Sequence, residues 1–205
     1  MPALDGIRIL DMTQYEAGPS CTQAMAWMGA DVVKIEPPGH GEPGRSLAVG
    51  GDYSPYFCNW NANKRSLALD LRKPEGRDVL LRMLPQYDIF IENYGPGIIE
   101  RFGLEYETLK AIHPGLIYVQ LKGFGSSGPY ANYKSYDMVA QAAAGAFSVT
   151  GELGGGPLLP GPTTGDSGTG MQAGMAILAA YIQRLLRCIL YKKPYCSFRY
   201  NAPGK

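Results

Sequence analysis

One carboxylate in this sequence, that of Asp166, has neighbours that suit a catalytic role. Asp166 follows a stretch rich in glycine and proline, residues 151–165, and precedes an apolar segment with helical spacing. Gly165, Gly168 and Gly170 leave little side-chain bulk around it, so a substrate can approach closely. An ionised carboxylate in such a place can attack a carbonyl carbon. Asp is also a preferred N-cap residue, and capping the helix is the commoner role for an aspartate in this setting.

The composition indicates a globular protein that does not act mainly on nucleic acid. Hydrophobic residues make up 45% of the 205 residues and charged residues 18%. The net charge is +1, but residues 184–205 hold six Lys or Arg and no acid, so residues 1–183 carry a net charge of −5. A slightly acidic body argues against nucleic acid as the main partner.

The cysteines and the chain start favour a reduced, cytoplasmic compartment. Cys21, Cys58, Cys188 and Cys196 form no CxxC pair and have no histidine close in sequence, so neither a metal site nor a disulfide framework is expected. The first twelve residues carry two acids and no basic segment before an apolar core, unlike a secretory signal. Without a run of 18 apolar residues, no membrane association is expected.

Short apolar runs alternate with helical segments of about ten residues, which predicts an α/β fold with a doubly wound parallel sheet. The predicted strands cover residues 7–12, 31–36, 66–71, 87–92 and 116–121. The predicted helices run from Pro19 to Gly29, over residues 74–84, through Arg101 and Leu109, and from residue 137 to about Gly145. Residues 37–63 show no firm periodicity and are interpreted as a long functional loop.

The segment after Asp166 is predicted to be a long helix with a broad apolar stripe that lies in the core. The stripe consists of Met171, Met175, Leu178, Ile182, Leu185 and Leu186.

In a sheet of this kind, ligands bind beyond the carboxyl ends of the strands. The loops expected there are residues 13–19, 37–63, 92–97 and 122–129. None of them is a GxGxxG fingerprint, and GxxxxGK[ST] is absent from the chain. An α/β oxidoreductase that binds a nicotinamide is therefore a disfavoured alternative.

Several motifs in register make the chain resemble the family III CoA-transferases, the formyl-CoA and carnitine CoA-transferase type, over roughly residues 4–186. The motifs are residues 11–18, 63–67, 92–97, 122–125 and 165–167. The resemblance implies an intertwined homodimer, a nucleotide-binding-like α/β domain that binds coenzyme A, and a second, smaller domain. It also implies acyl-CoA and a small carboxylic acid as substrates, and no metal.

The resemblance assigns a role to individual residues. Asp166 matches the family's nucleophile, which would form an aspartyl-CoA thioester that the acceptor carboxylate opens. The positive end of the helix is expected to hold Asp166 ionised. The residues that match CoA-binding positions are Glu16, Ala17, Leu69, Arg72, Asn93, Tyr94, Gly95, Arg101, Lys122, Gly123, Phe124 and Gly125. Arg72, Arg101 and Lys122 are the expected phosphate contacts.

The nearest competing activity is that of the 2-methylacyl-CoA racemases, which share the family's fold. They resemble this chain but place a histidine directly before the aspartate of the alanine-rich helix, where this chain has Tyr136 before Asp137. Neither His40 nor His113 occupies that place, so the obvious neutral-pH base is missing. A transferase is therefore favoured over a racemase.

The resemblance ends shortly after the long helix. Residues 1–187 are predicted to be the large, N-terminal domain of the family, and residues 188–205 a divergent basic tail. The family's second domain is expected to be missing, with low or absent transferase activity as the consequence. A catalytically inactive CoA-binding fragment remains an alternative.

Overall fold

Five parallel strands form the centre of the computed structural model, which describes residues 1–47, 53–191 and 198–199. The strands are β1 (Arg8–Met12), β2 (Asp31–Glu36), β3 (Arg65–Ala68), β4 (Ile89–Glu92) and β5 (Ile117–Gln120), and the two-residue β6 (Phe198–Arg199) pairs with β5. The sheet order is β3-β2-β1-β4-β5-β6. The predicted α/β fold with a doubly wound parallel sheet is confirmed. Most of the predicted basic tail lies outside the described residues.

Helices follow the strands along the chain. They are α1 (Ala17–Trp27), α2 (Pro55–Asn61), α3 (Pro74–Met83), α4 (Ile98–Arg101), α5 (Tyr106–Ile112), α6 (Asp137–Ala143) and α7 (Thr164–Tyr191). None of the helices in the described part of the chain combines the length and the apolar character needed to cross a membrane.

The prediction of an irregular loop over residues 37–63 is wrong in part, because α2 and a 3-10 turn at Pro43–Ser46 lie within it. The Ser54 hydroxyl accepts a hydrogen bond from the Phe57 amide, and Pro55 occupies the first turn of α2. Both are ordinary signals of a helix start. A helix of seven residues is too short to show clear hydrophobic periodicity, which is why the pattern did not reveal it.

Side chains on the strands alternate between two hydrophobic cores, one on each face of the sheet. Ile9, Val32 and Ile89 pack towards α1 and α7, whereas Leu10 and Phe90 pack towards α3, α4 and α5. Burial on both faces explains the nearly continuous apolar runs from which the strands were predicted.

The predicted core stripe of α7 is wrong except at Leu178, which is partly buried and packs against the core on the α1 side. Among its residues, Met171, Met175, Ile182, Leu185 and Leu186 are all exposed. The buried face of α7 consists of Ala173, Ile177 and Ala180, which join the α1 core. Ala173 and Ala180 are small, which suits the close approach of α1 to α7, whereas hydrophobic periodicity gives weight to large residues.

Gly170 lies where α7 packs closely against α1. A Cβ at this position would lie 2.1 Å from the Ser20 Oγ and 2.6 Å from the Ala17 carbonyl oxygen. We expect Gly170→Ala to lower the free energy of unfolding by about 1–3 kcal/mol, because the α1 backbone must move. Gly168→Ala is the matched control, since a Cβ there meets nothing within 4 Å.

Urea denaturation of the two variants checks this expectation. Gly168→Ala should be neutral or stabilising by up to about 1 kcal/mol, because alanine has the higher helix propensity. Equal effects of the two substitutions would show that the close packing of α1 on α7 does not limit stability.

Candidate active site

A cavity of about 360 Å³ lies beyond the carboxyl ends of β1, β4 and β5. Three of the predicted strand-end loops line it, and the start of α7 closes one side. The lining includes Gln14, Tyr15, Ala17, Asn93, Tyr94, Gly95, Leu121, Lys122, Gly123, Gly165, Asp166 and Thr169. The parallel sheet brings these loops to one edge, as predicted.

The loops after β1 and β4 are held together by a reciprocal pair of hydrogen bonds. The Gln14 amide donates to the Asn93 Oδ1 at 2.7 Å, and the Asn93 Nδ2 donates to the Gln14 carbonyl oxygen at 2.8 Å. Asn93 thus fixes the distance between two walls of the cavity. Both polar atoms of the Asn93 side chain form hydrogen bonds to the Gln14 backbone.

A buried ionic cluster anchors the end of β1 beneath the cavity. Asp11 Oδ1 accepts from the Thr13 amide and hydroxyl, and Oδ2 accepts from Thr22 and from the Lys64 Nζ at 3.1 Å. The side chains of both Asp11 and Lys64 are almost inaccessible to solvent. Burial by itself raises the pKa of Asp11, but Lys64, Lys34 and the two hydroxyls outweigh it and hold that pKa well below its usual range.

Asp166 is the third residue of α7, and Asp137 caps that helix in its place. The Asp137 Oδ1 accepts hydrogen bonds from the backbone amides of Gly165 at 2.8 Å and Asp166 at 3.1 Å. The Asp166 carboxylate is half-buried, faces the cavity and forms no hydrogen bond with any described residue. The helix-capping alternative for Asp166 is therefore excluded by the geometry.

Three carboxylates lie close enough to influence one another. Burial raises the pKa of Asp166 to about 6, and the charges of Glu16 and Asp137 add to the effect. Burial also raises the pKa of Glu16, whose carboxylate accepts a hydrogen bond from the Thr163 hydroxyl. Tyr56 lies against Glu16, and its pKa is raised by burial and by the charges of Glu16 and Asp166.

The helix end was expected to hold Asp166 ionised, but the pKa is raised and not lowered, to a value that still leaves the carboxylate mostly ionised at neutral pH. The first amides of α7 donate to Asp137, and two neighbouring negative charges oppose ionisation. Burial and charge repulsion outweigh the favourable end of the helix dipole, which amounts to roughly 0.3–1 kcal/mol at an ordinary site.

Sequence comparison decides the relationship that the motifs suggested. The profile of CoA-transferase family III matches residues 4–186. The chain belongs to CoA-transferase family III. The formyl-CoA:oxalate CoA-transferases of Bradyrhizobium sp. and Streptomyces coelicolor are each 45% identical to it over 184 residues, or 89% of this chain. These residues cover 43% and 44% of the two relatives, so the chain spans less than half of their length.

Two solved structures share the fold of this chain. A CAIB/BAIF family protein from Brucella suis has a TM-score of 0.86 and 37% identity, over 90% of this chain and 50% of the other. A protein from M. tuberculosis has a TM-score of 0.84 and 30% identity, over 100% of this chain and 54% of the other.

In this family III chain, six of the predicted CoA-binding residues line the cavity together with Asp166. They are Ala17, Asn93, Tyr94, Gly95, Lys122 and Gly123. Glu16 lies beside Asp166 and is buried. A Cβ on Gly123 would lie 2.1 Å from the Ser135 Cβ, so only glycine lets the loop after β5 pass the Tyr-rich segment at this point.

Five predicted CoA-binding residues do not line the cavity: Leu69, Arg72, Arg101, Phe124 and Gly125. Arg72 is exposed and pairs with Asp70 at 2.8 Å. Arg101 is exposed at the end of α4. Phe124 packs instead against the rings of Tyr130 and Tyr133.

Lys122 reaches the cavity, but its ammonium group is engaged on the protein. The Nζ lies 3.1 Å from the Glu92 Oε1 and also donates to the Tyr94 carbonyl oxygen. Burial raises the pKa of Glu92, and the charge of Lys122 opposes that rise. Lys122 therefore compensates a buried acid, which reduces the charge that it can offer to a phosphate.

The sequence reasoning missed the segment that forms the outer wall of the cavity. Tyr133, Lys134, Ser135 and Tyr136 line it, and the Lys134 side chain lies beside Gly95. The available signal was compositional, since three tyrosines and a lysine occur within residues 130–136. The described residues contain no group of three or more His, Cys, Asp or Glu side chains placed to hold a metal ion.

Proposed function

We propose that this chain provides the CoA-binding and nucleophile-bearing part of a CoA-transferase, which moves CoA from an acyl-CoA thioester to a carboxylic acid. The observation that carries the proposal is the position of Asp166. Its carboxylate faces the cavity without a hydrogen bond to a described residue, at the meeting point of three strand-end loops. The formyl-CoA:oxalate relatives make formyl-CoA and oxalate the first donor and acceptor to test.

The proposed reaction uses Asp166 as a covalent carrier. A carboxylate oxygen attacks the thioester carbonyl, the C–S bond breaks, and a mixed anhydride and the CoA thiolate result. The thiolate then attacks the aspartyl carbonyl, which releases the first carboxylate and leaves an aspartyl-CoA thioester. The acceptor carboxylate attacks that thioester in turn, and return of CoA to the new acyl group regenerates Asp166.

The residues around Asp166 favour this chemistry in two ways. Partial burial removes water from the carboxylate, which strengthens it as a nucleophile. Charge repulsion from Glu16 and Asp137 destabilises the ionised carboxylate and is relieved when Asp166 becomes a neutral anhydride or thioester. We propose that Lys134, at the outer wall of the cavity, contacts a CoA phosphate, and that Arg72 and Arg101 contact it from outside the cavity.

The exposed apolar stripe on α7 suggests that the whole protein binds a partner through this surface. Its residues, among them Met171 and Met175, form an apolar surface, and surfaces of this kind mark interaction sites. We propose that a second copy of the chain covers the stripe, as the family resemblance implies. A racemase is not favoured, since neither His40 nor His113 lines the cavity and Tyr136 stands at the expected histidine position.

The pH dependence of adduct formation tests the role of Asp166. We expect the rate at which formyl-CoA labels the chain, followed by intact mass, to level off above pH 6 and to fall about tenfold per pH unit below it, because only the ionised carboxylate attacks. Glu16→Gln removes a negative neighbour, so the pKa of Asp166 should fall and the acid limb should move to lower pH.

Glu107→Gln is the matched control, since Glu107 is exposed on α5 and its loss should leave the profile unchanged. An acid limb that stays in place in Glu16→Gln would contradict the assigned charge coupling. A profile without an acid limb near pH 6 would contradict the raised pKa of Asp166.

A further inference from the structure

The loop that carries Glu16 contains a strained residue. Tyr15 has a φ of 61°, in the left-handed region that a residue with a Cβ rarely adopts. The next residue, Glu16, occupies the N-cap position of α1. A strained backbone of this kind costs about 1–3 kcal/mol and persists only where surrounding contacts hold it. The Tyr15 ring lies edge-on to Tyr136, with centroids 5.7 Å apart, and both rings line the cavity.

The contact that holds Tyr15 comes from Glu42, 27 residues away. The Glu42 Oε2 accepts from the Tyr15 amide at 3.0 Å and from the Gly44 amide at 3.0 Å. Glu42 is buried, and its Oε1 has no hydrogen-bond partner in the structure. One oxygen of a buried carboxylate therefore does all the hydrogen bonding of this side chain.

Glu42 is itself fixed by a rigid support at the carboxyl end of β2. Its amide donates to the Glu36 Oε2 at 3.0 Å, and Arg45 binds both Glu36 oxygens at 2.7 Å. Burial raises the pKa of Glu36, but hydrogen bonds from Arg45 and Ser66 outweigh it and lower the pKa to about 2. Glu36 therefore stays ionised at every pH at which the site would work, and Glu42 keeps its place.

We propose that Glu42 is a positioning residue for the active site: its carboxylate holds the Tyr15 amide in the left-handed conformation and so keeps Glu16 beside Asp166 and the Tyr15 ring against Tyr136. The effect of Glu42 on catalysis rests on the proposed function. The effect of Glu42 on the position of Glu16 does not depend on that function. When the hold is lost, Tyr15 relaxes to a negative φ and Glu16 moves away from Asp166.

The pKa of Asp166 reports this movement and requires no turnover. The ionisable groups that face Asp166 are Glu16, Asp137 and Tyr56, and Glu42 acts on Asp166 only through the loop. The carboxyl ¹³C resonance of Asp166, assigned with Asp166→Asn, is followed against pH in the parent chain, in Glu42→Ala and in Glu42→Gln. We expect a value of about 6 in the parent.

Glu42→Ala should lower that pKa by about one unit, because the repulsion from Glu16 is lost and water reaches the carboxylate. Glu42→Gln should leave it unchanged, since its amide oxygen can replace the Oε2 as acceptor and only a charge is removed. The same pKa in all three proteins, or an equal fall in both variants, would overturn the proposal.

Hydrogen exchange on the parent chain keeps the proposal testable if Glu42→Ala does not fold. The Tyr15 amide should exchange at least about a hundredfold more slowly than an unprotected amide, because it is bonded to a buried acceptor. An unprotected Tyr15 amide would also overturn the proposal. A chain with the expected pKa pattern and no transfer would refute the proposed function and leave the role of Glu42 intact.

Discussion

Asp166→Asn is expected to abolish covalent transfer, by roughly a thousandfold or more, because the amide cannot attack the thioester. The shape of the side chain is kept, and no described residue donates a hydrogen bond to the carboxylate that would be lost. The affinity for CoA should therefore change little. Intact mass after incubation with formyl-CoA measures the adduct, and calorimetry with CoA measures binding.

Asp78→Asn provides the matched control for this substitution. Asp78 is exposed on α3 and does not line the cavity, and its replacement changes the same functional group. We expect it to behave like the parent in both assays. Labelling of Asp166→Asn within tenfold of the parent would show that another group is the nucleophile.

The second large effect is expected on stability, from Asp11→Asn at the end of β1. The side-chain NH₂ group of the new asparagine cannot accept a hydrogen bond, yet all the described partners of the Asp11 carboxylate are donors. Lys64 would also remain as a buried cation without its counter-ion. Breaking a buried pair in this way costs about 3–5 kcal/mol, which urea denaturation would show as a large fall in the midpoint.

Asp31→Asn is the control for the buried pair. It breaks the exposed pair with Arg65, for which the side chains are 40% and 63% exposed, so its effect should be much smaller. The pH dependence gives an independent check. Because the pKa of Asp11 is depressed in the folded state, the stability that it provides is present at neutral pH and lost as the pH falls. Equal midpoints for the two variants would contradict this account.

The chain sequence by itself determined the sheet and the edge at which the site lies. Runs such as residues 87–92 are apolar on both faces, and turn residues separate them from helical segments, so each strand was readable from its own neighbourhood. Parallel strands place their carboxyl ends at one edge, and this rule brought the loops that carry Asn93 and Lys122 to one cavity without knowledge of any contact. Asp166 lies on α7 and was assigned through the family resemblance.

Only the tertiary structure decided which groups surround Asp166. The Asp137 carboxylate that caps α7 lies 28 residues before Gly165, and Thr163 donates to Glu16 across 147 residues of chain. Such neighbours depend on how α1, α6 and α7 pack, and a local pattern does not contain that information. The pKa of Asp166 follows from these neighbours, so the helix start alone predicted its direction wrongly.

The buried face of α7 could not be predicted from the sequence for a related reason. Hydrophobic periodicity identifies the side chains that gain most from burial, and Met171, Met175 and Ile182 are large and apolar. The approach of α1 at Gly170 instead turns the face with Ala173, Ile177 and Ala180 inward, and two of these three side chains are small. Close packing between distant segments, which residue types alone do not encode, decided which face of the helix is covered.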